Sequence, residues 1–339
     1  MHHLTTMRKA ALIYNPVSGR RRYRRKQDVE IAAQILRAAG VQVTMSPTRA
    51  AGSAGAQARE AIENGHDTVI ACGGDGTLHD VLQGVVPFGQ NVALGCLPLG
   101  TGNVMGNDLG LPRRPGAAAR ALLGFVPRPV AAGKAEFQVV GSNERDFRYF
   151  AVMAGVGVDA QLPYLLTQHF KQRYGMLGYI AQGLRIYLAH DFPEFEVEFM
   201  DAITGNTRTE TASLAFAVRV KNFGGFMRHF APGAMLEAGH MQVVLAKTGN
   251  GHRLLQYMML AAMGMHWKLR GIENVRVTEI ACRVLASAGE KRPSGRPGRI
   301  YSQADGELLG VLPVKLSVIP NAFRLLMPPL RATATAKIP

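Results

Sequence analysis

Cysteine is scarce in this chain: Cys72, Cys96 and Cys282 are the whole supply, and no two sit at CxxC spacing. That excludes a disulfide framework and a zinc site built on paired cysteines. Aromatic residues make up only 7%, with one tryptophan. There is neither a zinc finger nor an RNA-binding aromatic signature, so no nucleic acid partner is expected. Long apolar runs are missing too. The most apolar stretch, Tyr257–Met265, is far shorter than a membrane span, and no signal-length apolar core precedes the first charges of MHHLTTMRKAALIYN. Acidic residues number 24 against 39 Lys and Arg, a net charge of +15. That surplus implies an anionic partner, which composition alone leaves open among nucleic acid, a phosphorylated ligand and a membrane surface. The expected location is cytoplasmic, with peripheral attachment to an anionic membrane.

Glycine, by contrast, is abundant, with 38 residues, and a 47% hydrophobic content is enough for two cores in 339 residues. The first part alternates short apolar runs with helical stretches. Strands are expected at Ala10–Tyr14, Val41–Met45, Thr68–Ala71 and Val92–Leu97, and helices at Arg24–Ala39, Ala54–Asn64 and Thr77–Gly84. This rhythm predicts an α/β fold: an N-terminal three-layer α/β/α domain with a mostly parallel sheet. After Pro127-Arg128-Pro129 the pattern turns to strands, at Lys134–Val140, Phe147–Met153, Phe195–Met200, Ser213–Val220, Met241–Ala246, Val275–Leu285, Ile300–Ala304 and Val314–Ile319. Helical insertions at Leu162–Leu188 and Arg253–Leu269 interrupt them. A mainly antiparallel, β-sandwich-like C-terminal domain is therefore expected. Residues 1–130 form the first domain and 131–320 the second, with the tail 321–339 returning to the first. An exposed strand edge in the second domain would allow a homodimer.

Three unusual turns follow strands of the first domain, where parallel sheets bind ligands. Asn15-Pro16-Val17-Ser18-Gly19 closes the first strand beside a run of arginines, a combination that suits an anion and also a plain turn. Gly73-Gly74-Asp75-Gly76-Thr77 follows the third strand. Three glycines weaken a structural turn, so a closely approaching phosphate ligand is the better explanation, with Asp75 as a Mg²⁺ or proton handler. Leu97-Pro98-Leu99-Gly100-Thr101-Gly102-Asn103 follows the fourth.

NPVSG, CGGDGT and PLGTGN, in that order and spacing, resemble the diacylglycerol kinase catalytic family, which includes bacterial lipid kinases and is similar to sphingosine and ceramide kinases. The resemblance continues through Gly157-Val158-Asp159-Ala160, Phe223-Gly224-Gly225-Phe226-Met227, Ala231-Pro232-Gly233-Ala234 and Asp305-Gly306-Glu307, and so covers nearly the whole chain. It implies an ATP-dependent lipid kinase using Mg²⁺, with a diacylglycerol-like or other long-chain alcohol as acceptor. Asn15, Pro16, Ser18, Gly19 and Thr48 would line the nucleotide site. Gly73, Gly74, Asp75, Gly76, Thr77, Gly100, Thr101 and Asn103 would hold its phosphates. Asp75 would be essential, either binding Mg²⁺ or activating the acceptor, Asp159 would lie near the acceptor hydroxyl, and Asp305 and Glu307 would be catalytic with it, Glu307 being the expected base. Without the resemblance, Asp305-Gly306 reads as an ordinary hairpin turn.

Two positions depart from the family pattern. Val104 stands where many members carry Asp, and Ala238 replaces an Asp of a structural Mg²⁺ site, so that metal is expected to be weak or absent. For membrane contact the sequence offers the Met-rich stretch His252–Arg270 with Trp267, and the basic groups Lys171, Arg173 and Glu290–Arg299. The rival readings are a soluble kinase of the NAD kinase or phosphofructokinase type, where GGDG also occurs, and a catalytically inactive lipid- or nucleotide-binding protein.

Overall fold

A computed structural model describes residues 6–17, 22–157, 160, 193–223, 231–263, 265, 269–285 and 299–330. The fold is mixed α/β, with a parallel-rich N-terminal sheet and an antiparallel, sandwich-like C-terminal half. The first half holds β1 (Lys9–Tyr14), α1 (Arg25–Ala38), β2 (Gln42–Pro47), α2 (Ala54–Glu63), β3 (Thr68–Gly73), α3 (Asp75–Val85), β4 (Ala93–Pro98), α4 (Val104–Asp108) and α5 (Pro115–Leu123). Strand order is β2-β1-β3-β4, all parallel. β1, β3 and β4 are almost wholly buried, which is why they read as continuous apolar runs. α1 packs with α5 on one face and α2 with α3 on the other.

The second half is built from β5 (Val126–Gln138), β6 (Arg145–Phe150), β7 (Met153–Gly157), β8 (Phe195–Asp201), β9 (Thr207–Ala212), β10 (Leu214–Val218), β11 (Met241–Ala246), α6 (Gly251–Ala262), β12 (Ile272–Val284), β13 (Tyr301–Ala304) and β14 (Glu307–Met327). Every strand pair among these is antiparallel. Alternating burial along β8 and on β14 marks one face against a shared core of Phe150, Phe195, Val243, Val277 and Leu316.

Two strands differ from the sequence expectation in a way that matters. β5 begins at Val126 and runs through Pro127 and Pro129, so the expected boundary near residue 131 lies inside a strand. β14 is 21 residues long rather than six. Its first part pairs with β13 and β12, and its last part lies parallel to β4 at Arg324 and Leu325. One strand therefore ties the hairpin at Asp305-Gly306 to the parallel sheet. The expected helix at Leu162–Leu188 lies outside the described residues.

Candidate active site

The turns after β1, β3 and β4 sit at the carboxyl end of the parallel sheet. Asn15 Oδ1 accepts the Val17 N–H at 3.0 Å, an Asx turn that bends the chain out of β1. Pro16 is exposed, and Ser18 and Gly19 lie outside the described residues. Thr48 follows β2, its N–H donating to Tyr14 O at 2.8 Å. The turns after β3 and β4 are joined where Leu99 N–H donates to Gly73 O at 2.9 Å. Asn103 adopts φ 51° and folds its amide back on Gly100, accepting from its N–H at 2.7 Å and donating to its carbonyl at 2.8 Å. Its side chain thus shapes the turn, while Thr101 and Gly102 stand exposed at the tip.

Under these turns lies Arg25, only 1% exposed, whose Nη1 donates to Leu99 O at 2.7 Å. It follows the apolar phase of α1, with Val29, Ala32 and Leu36, and so places a guanidinium under the phosphate-type turns. Burial lowers its pKa, with Asp28 and Cys72 opposing.

α3 starts at Asp75, and its first intrahelical bond is Leu78 N–H to Gly74 O at 3.1 Å. The amides of Asp75, Gly76 and Thr77 therefore sit at the positive end of the helix, a favourable place for an anion. Asp75 Oδ1 accepts the Val104 N–H at 2.7 Å, so Val104 serves the carboxylate through its backbone. Asp75 Oδ2 faces Gly102, where a Cβ would come within 2.8 Å of it.

Glu307 arrives on β14 from the other half of the molecule. Its Oε1 lies so close to Gly76 that a Cβ there would stand 2.8 Å away. Glu307 thus reaches the first turn of the helix that Asp75 opens. Asp305 and Gly306 form the two-residue turn between β13 and β14, with φ 50° and 88°, which suits a mirror-image turn. Asp305 is 6% exposed and its carboxylate is fully engaged. Oδ1 accepts the N–H groups of Val152 at 2.9 Å and Met153 at 3.0 Å, and Oδ2 accepts Ala151 N–H at 3.0 Å and His79 Nδ1 at 3.2 Å. Asp305 therefore anchors the hairpin that presents Glu307.

The electrostatics follow from crowding of acids. Burial raises the Asp75 pKa; the Val104 N–H opposes the rise and the Asp305 charge adds to it. Glu307 is open to solvent at the cleft mouth, yet surrounding protein desolvates its carboxyl and raises its pKa. His79 opposes that rise, while Asp80 and Asp305 reinforce it. Burial works to lower the His79 pKa, but the bond and charge of Asp305, with Asp80 and Glu307, outweigh it and leave the pKa raised. A carboxylate of raised pKa beside a phosphate-type turn has the properties of a general base. The cysteines take no part: all three are buried, and burial pushes Cys96 and Cys282 up to about 12.

The turns holding residues 73–77 and 100–103 are therefore joined, through the Leu99–Gly73 bond and the close approach of Gly74 and Gly100, and Glu307 on its Asp305 turn reaches Gly76, with Asn15, Pro16 and Thr48 at the neighbouring strand ends. Asp159, Lys171, Arg173 and the Gly224–Met227 stretch lie outside the described residues. Sequence reasoning missed His79, and placed Arg25 only in the basic cluster beside the first turn, not buried beneath the turns. The signals available were the i, i+4 spacing from Asp75 to His79 and the position of Arg25 on the buried stripe of α1. The Ala238 segment does not fit a cation: Leu236 O accepts from Arg219 at 2.8 Å, and Glu237 pairs with Arg128. Among the described residues no group of three or more His, Cys, Asp or Glu can hold a metal alone. Asp75, a carboxylate at the start of α3 beside the exposed Thr101-Gly102 tip, is of the donor type that fits a Mg²⁺ bound chiefly to phosphate oxygens.

A parallel sheet with phosphate-type turns, closed by an acid from an antiparallel second half, defines a phosphotransferase of the kinase type. Residues 9–135 match the diacylglycerol kinase catalytic domain, and residues 152–327 match the YegS C-terminal NAD kinase beta sandwich-like domain. The chain belongs to the diacylglycerol kinase-like family that these two domains define together, the second of them spanning more than half of it. It is 28% identical over 323 residues to the diacylglycerol kinase of Bacillus subtilis (strain 168), covering 95% of this chain and 97% of that protein. It is 26% identical over 295 residues to the diacylglycerol kinase of Staphylococcus aureus (strain bovine RF122 / ET3-1), covering 85% and 88%. A crystal structure from Bacillus anthracis str. Sterne shares the fold, with TM-score 0.73 at 20% identity over 96% of this chain and 97% of that one.

Proposed function

We propose that this protein is an ATP-dependent lipid kinase that transfers the γ-phosphoryl group to a hydroxyl of diacylglycerol or a related lipid alcohol. The observation that carries the reading is the approach of Glu307, from the antiparallel half, to Gly76 in the first turn of α3, the helix that Asp75 opens. The three βα turns hold the triphosphate through backbone amides, and Arg25 adds positive potential from below. The acceptor oxygen attacks the γ-phosphorus in line, the bond to the bridging oxygen breaks, ADP leaves, and the hydroxyl proton passes to Glu307. Mg²⁺ would neutralise charge on the phosphates, with Asp75 Oδ2 as its protein oxygen. Asp305 positions Glu307 and takes no proton. Residues 1–130 are then the nucleotide-binding region and 131–320 the acceptor region, where Asp159 is the proposed acceptor contact.

The lipid must be met at a bilayer, and peripheral docking is part of the proposal. Met259 and Met263 on and just after α6 are 58% and 57% exposed, and the chain carries +15. No helix among the described residues is long and apolar enough to cross a membrane. The test is labelled ATP offered with diacylglycerol micelles, a sphingoid base, NAD and a sugar phosphate in parallel. Label is expected in the lipid phase. Transfer to NAD or sugar phosphate alone would overturn the lipid reading.

A further inference from the structure

His79 stands between the two halves of the cleft, and the sequence pattern gives it no role. It lies on α3 one helical turn beyond Asp75 and is 4% exposed. Its Nδ1 meets Asp305 Oδ2 at 3.2 Å, across 226 residues of chain. A carboxylate oxygen only accepts, so the histidine Nδ1 carries the proton. The same Oδ2 accepts the Ala151 N–H, and Oδ1 accepts those of Val152 and Met153. These bonds join three pieces: the α3 helix that starts at Asp75, the β6–β7 link, and the turn that carries Glu307 two residues after Asp305. The β6–β7 link and the β13–β14 turn both belong to the second half. Apart from the Gly76 approach, the His79 bond is the direct polar tie from α3 to that turn among the described residues.

We propose that His79 is a positioning residue that, by donating to Asp305, fixes Glu307 at the distance from Asp75 that phosphoryl transfer requires. This rests on reading Glu307 as the base. The physical case is one of geometry. Glu307 sits on a two-residue hairpin, and a hairpin tip is held only by what its turn residues bond. The Asp305 carboxylate accepts four such bonds, and among them only the one from His79 comes from the half that carries Asp75. A misplacement of ~1 Å in such a site costs ~10²-fold in rate. The ionisable groups around His79 are Asp80, Asp305 and Glu307, with Arg148 near Asp80 and Arg219 near Asp305.

The experiment compares His79→Leu, His79→Asn and Glu307→Gln. Leucine removes the donor; asparagine presents an amide N–H where the imidazole presents Nδ1. The expected result for H79L is a kcat lower by ~10²-fold with KM for ATP unchanged, because the phosphate turns are untouched. H79N recovers most of that loss. In the unliganded wild-type protein the Nδ1–H gives a slowly exchanging imidazole proton resonance, which H79N lacks. A wild-type kcat in H79L, a loss carried in KM for ATP, a loss that asparagine does not recover, or a missing imidazole resonance would each overturn the inference. If E307Q is also fully active, the base assignment has failed; if E307Q is inactive while H79L is normal, only the role of His79 has.

Discussion

Asp305 and Glu307 are two residues apart and differ in setting, Asp305 being buried in the β13–β14 turn and Glu307 exposed at the start of β14. Asp305 turns inward onto three backbone N–H groups. Asp305→Ala would leave those buried donors unpaired, at ~1–3 kcal/mol for each group so orphaned. Thermal unfolding should show a large fall in Tm for D305A and almost none for E307Q. Glu307 turns outward into the cleft, and its raised pKa has a kinetic consequence. A base must be ionised to accept the proton, so kcat should rise with pH along a limb set above the ordinary glutamate range. A pH profile of kcat that is flat down through that range would contradict the role. Asp75 was legible from local sequence, as an acid in a glycine-rich turn after a strand, whereas Glu307 was legible only through the family resemblance, since its turn alone reads as an ordinary hairpin. His79 was not, because what gives it meaning is a contact 226 residues away in the chain. Asp305 was legible as an acid of the site, but its bonding to β6–β7 was not.

At the scale of elements, α2 and α3 pack at glycine. A Cβ on Gly84 would lie 2.0 Å from Gly55 O, and one on Gly55 would lie 2.7 Å from Asp80 O. Gly84→Ala should therefore destabilise the fold by ~1–3 kcal/mol through overpacking, read as a lowered midpoint in urea at an unchanged slope. On the second half, Arg208 and Lys247 each pair with Glu210 and Glu273 across β9, β11 and β12. Lys247 and Arg208 hold the Glu210 pKa below its ordinary value, and Arg208 and Lys247 do the same for Glu273. A depressed carboxyl pKa contributes stability that is present above the unfolded-state value and lost as pH falls through the folded one. Solvent and salt screen this network, so the effect is modest. Tm measured from pH 7 downward should fall less steeply for the double variant Glu210→Gln, Glu273→Gln than for wild type.

Strands were legible where burial was simple. β11, buried along its whole length, matches its expected Met241–Ala246 bounds. β5 was read from Lys134 because Pro127 and Pro129 look like a stop. They are tolerated there because that part of β5 pairs only with β14 and leaves its other edge unpaired. β14 was read as Val314–Ile319 because Pro313, Pro320 and Asn321 break the alternation. The register shifts near these residues, between Val311 and Val314 and between Ile319 and Phe323, carry the strand past them. β9, a polar Thr207–Ala212 edge strand paired only with β8, gave no apolar signal at all.

Over the whole molecule, β14 is the mechanical link. It starts at Glu307 in the cleft, runs through the antiparallel half and ends alongside β4 of the parallel sheet. The two halves are thereby held in one frame, which is how Glu307, 232 positions after Asp75 in the chain, comes to the first turn of the helix that Asp75 opens. The central claim is that these two side chains act together on the terminal phosphorus of bound ATP. The most direct measurement is single-turnover transfer from labelled ATP to diacylglycerol micelles, run alongside ATP affinity, for wild type and Glu307→Gln. The account predicts ATP binding close to wild type and transfer slower by ~10²–10⁴-fold. Transfer at the wild-type rate in E307Q would contradict it.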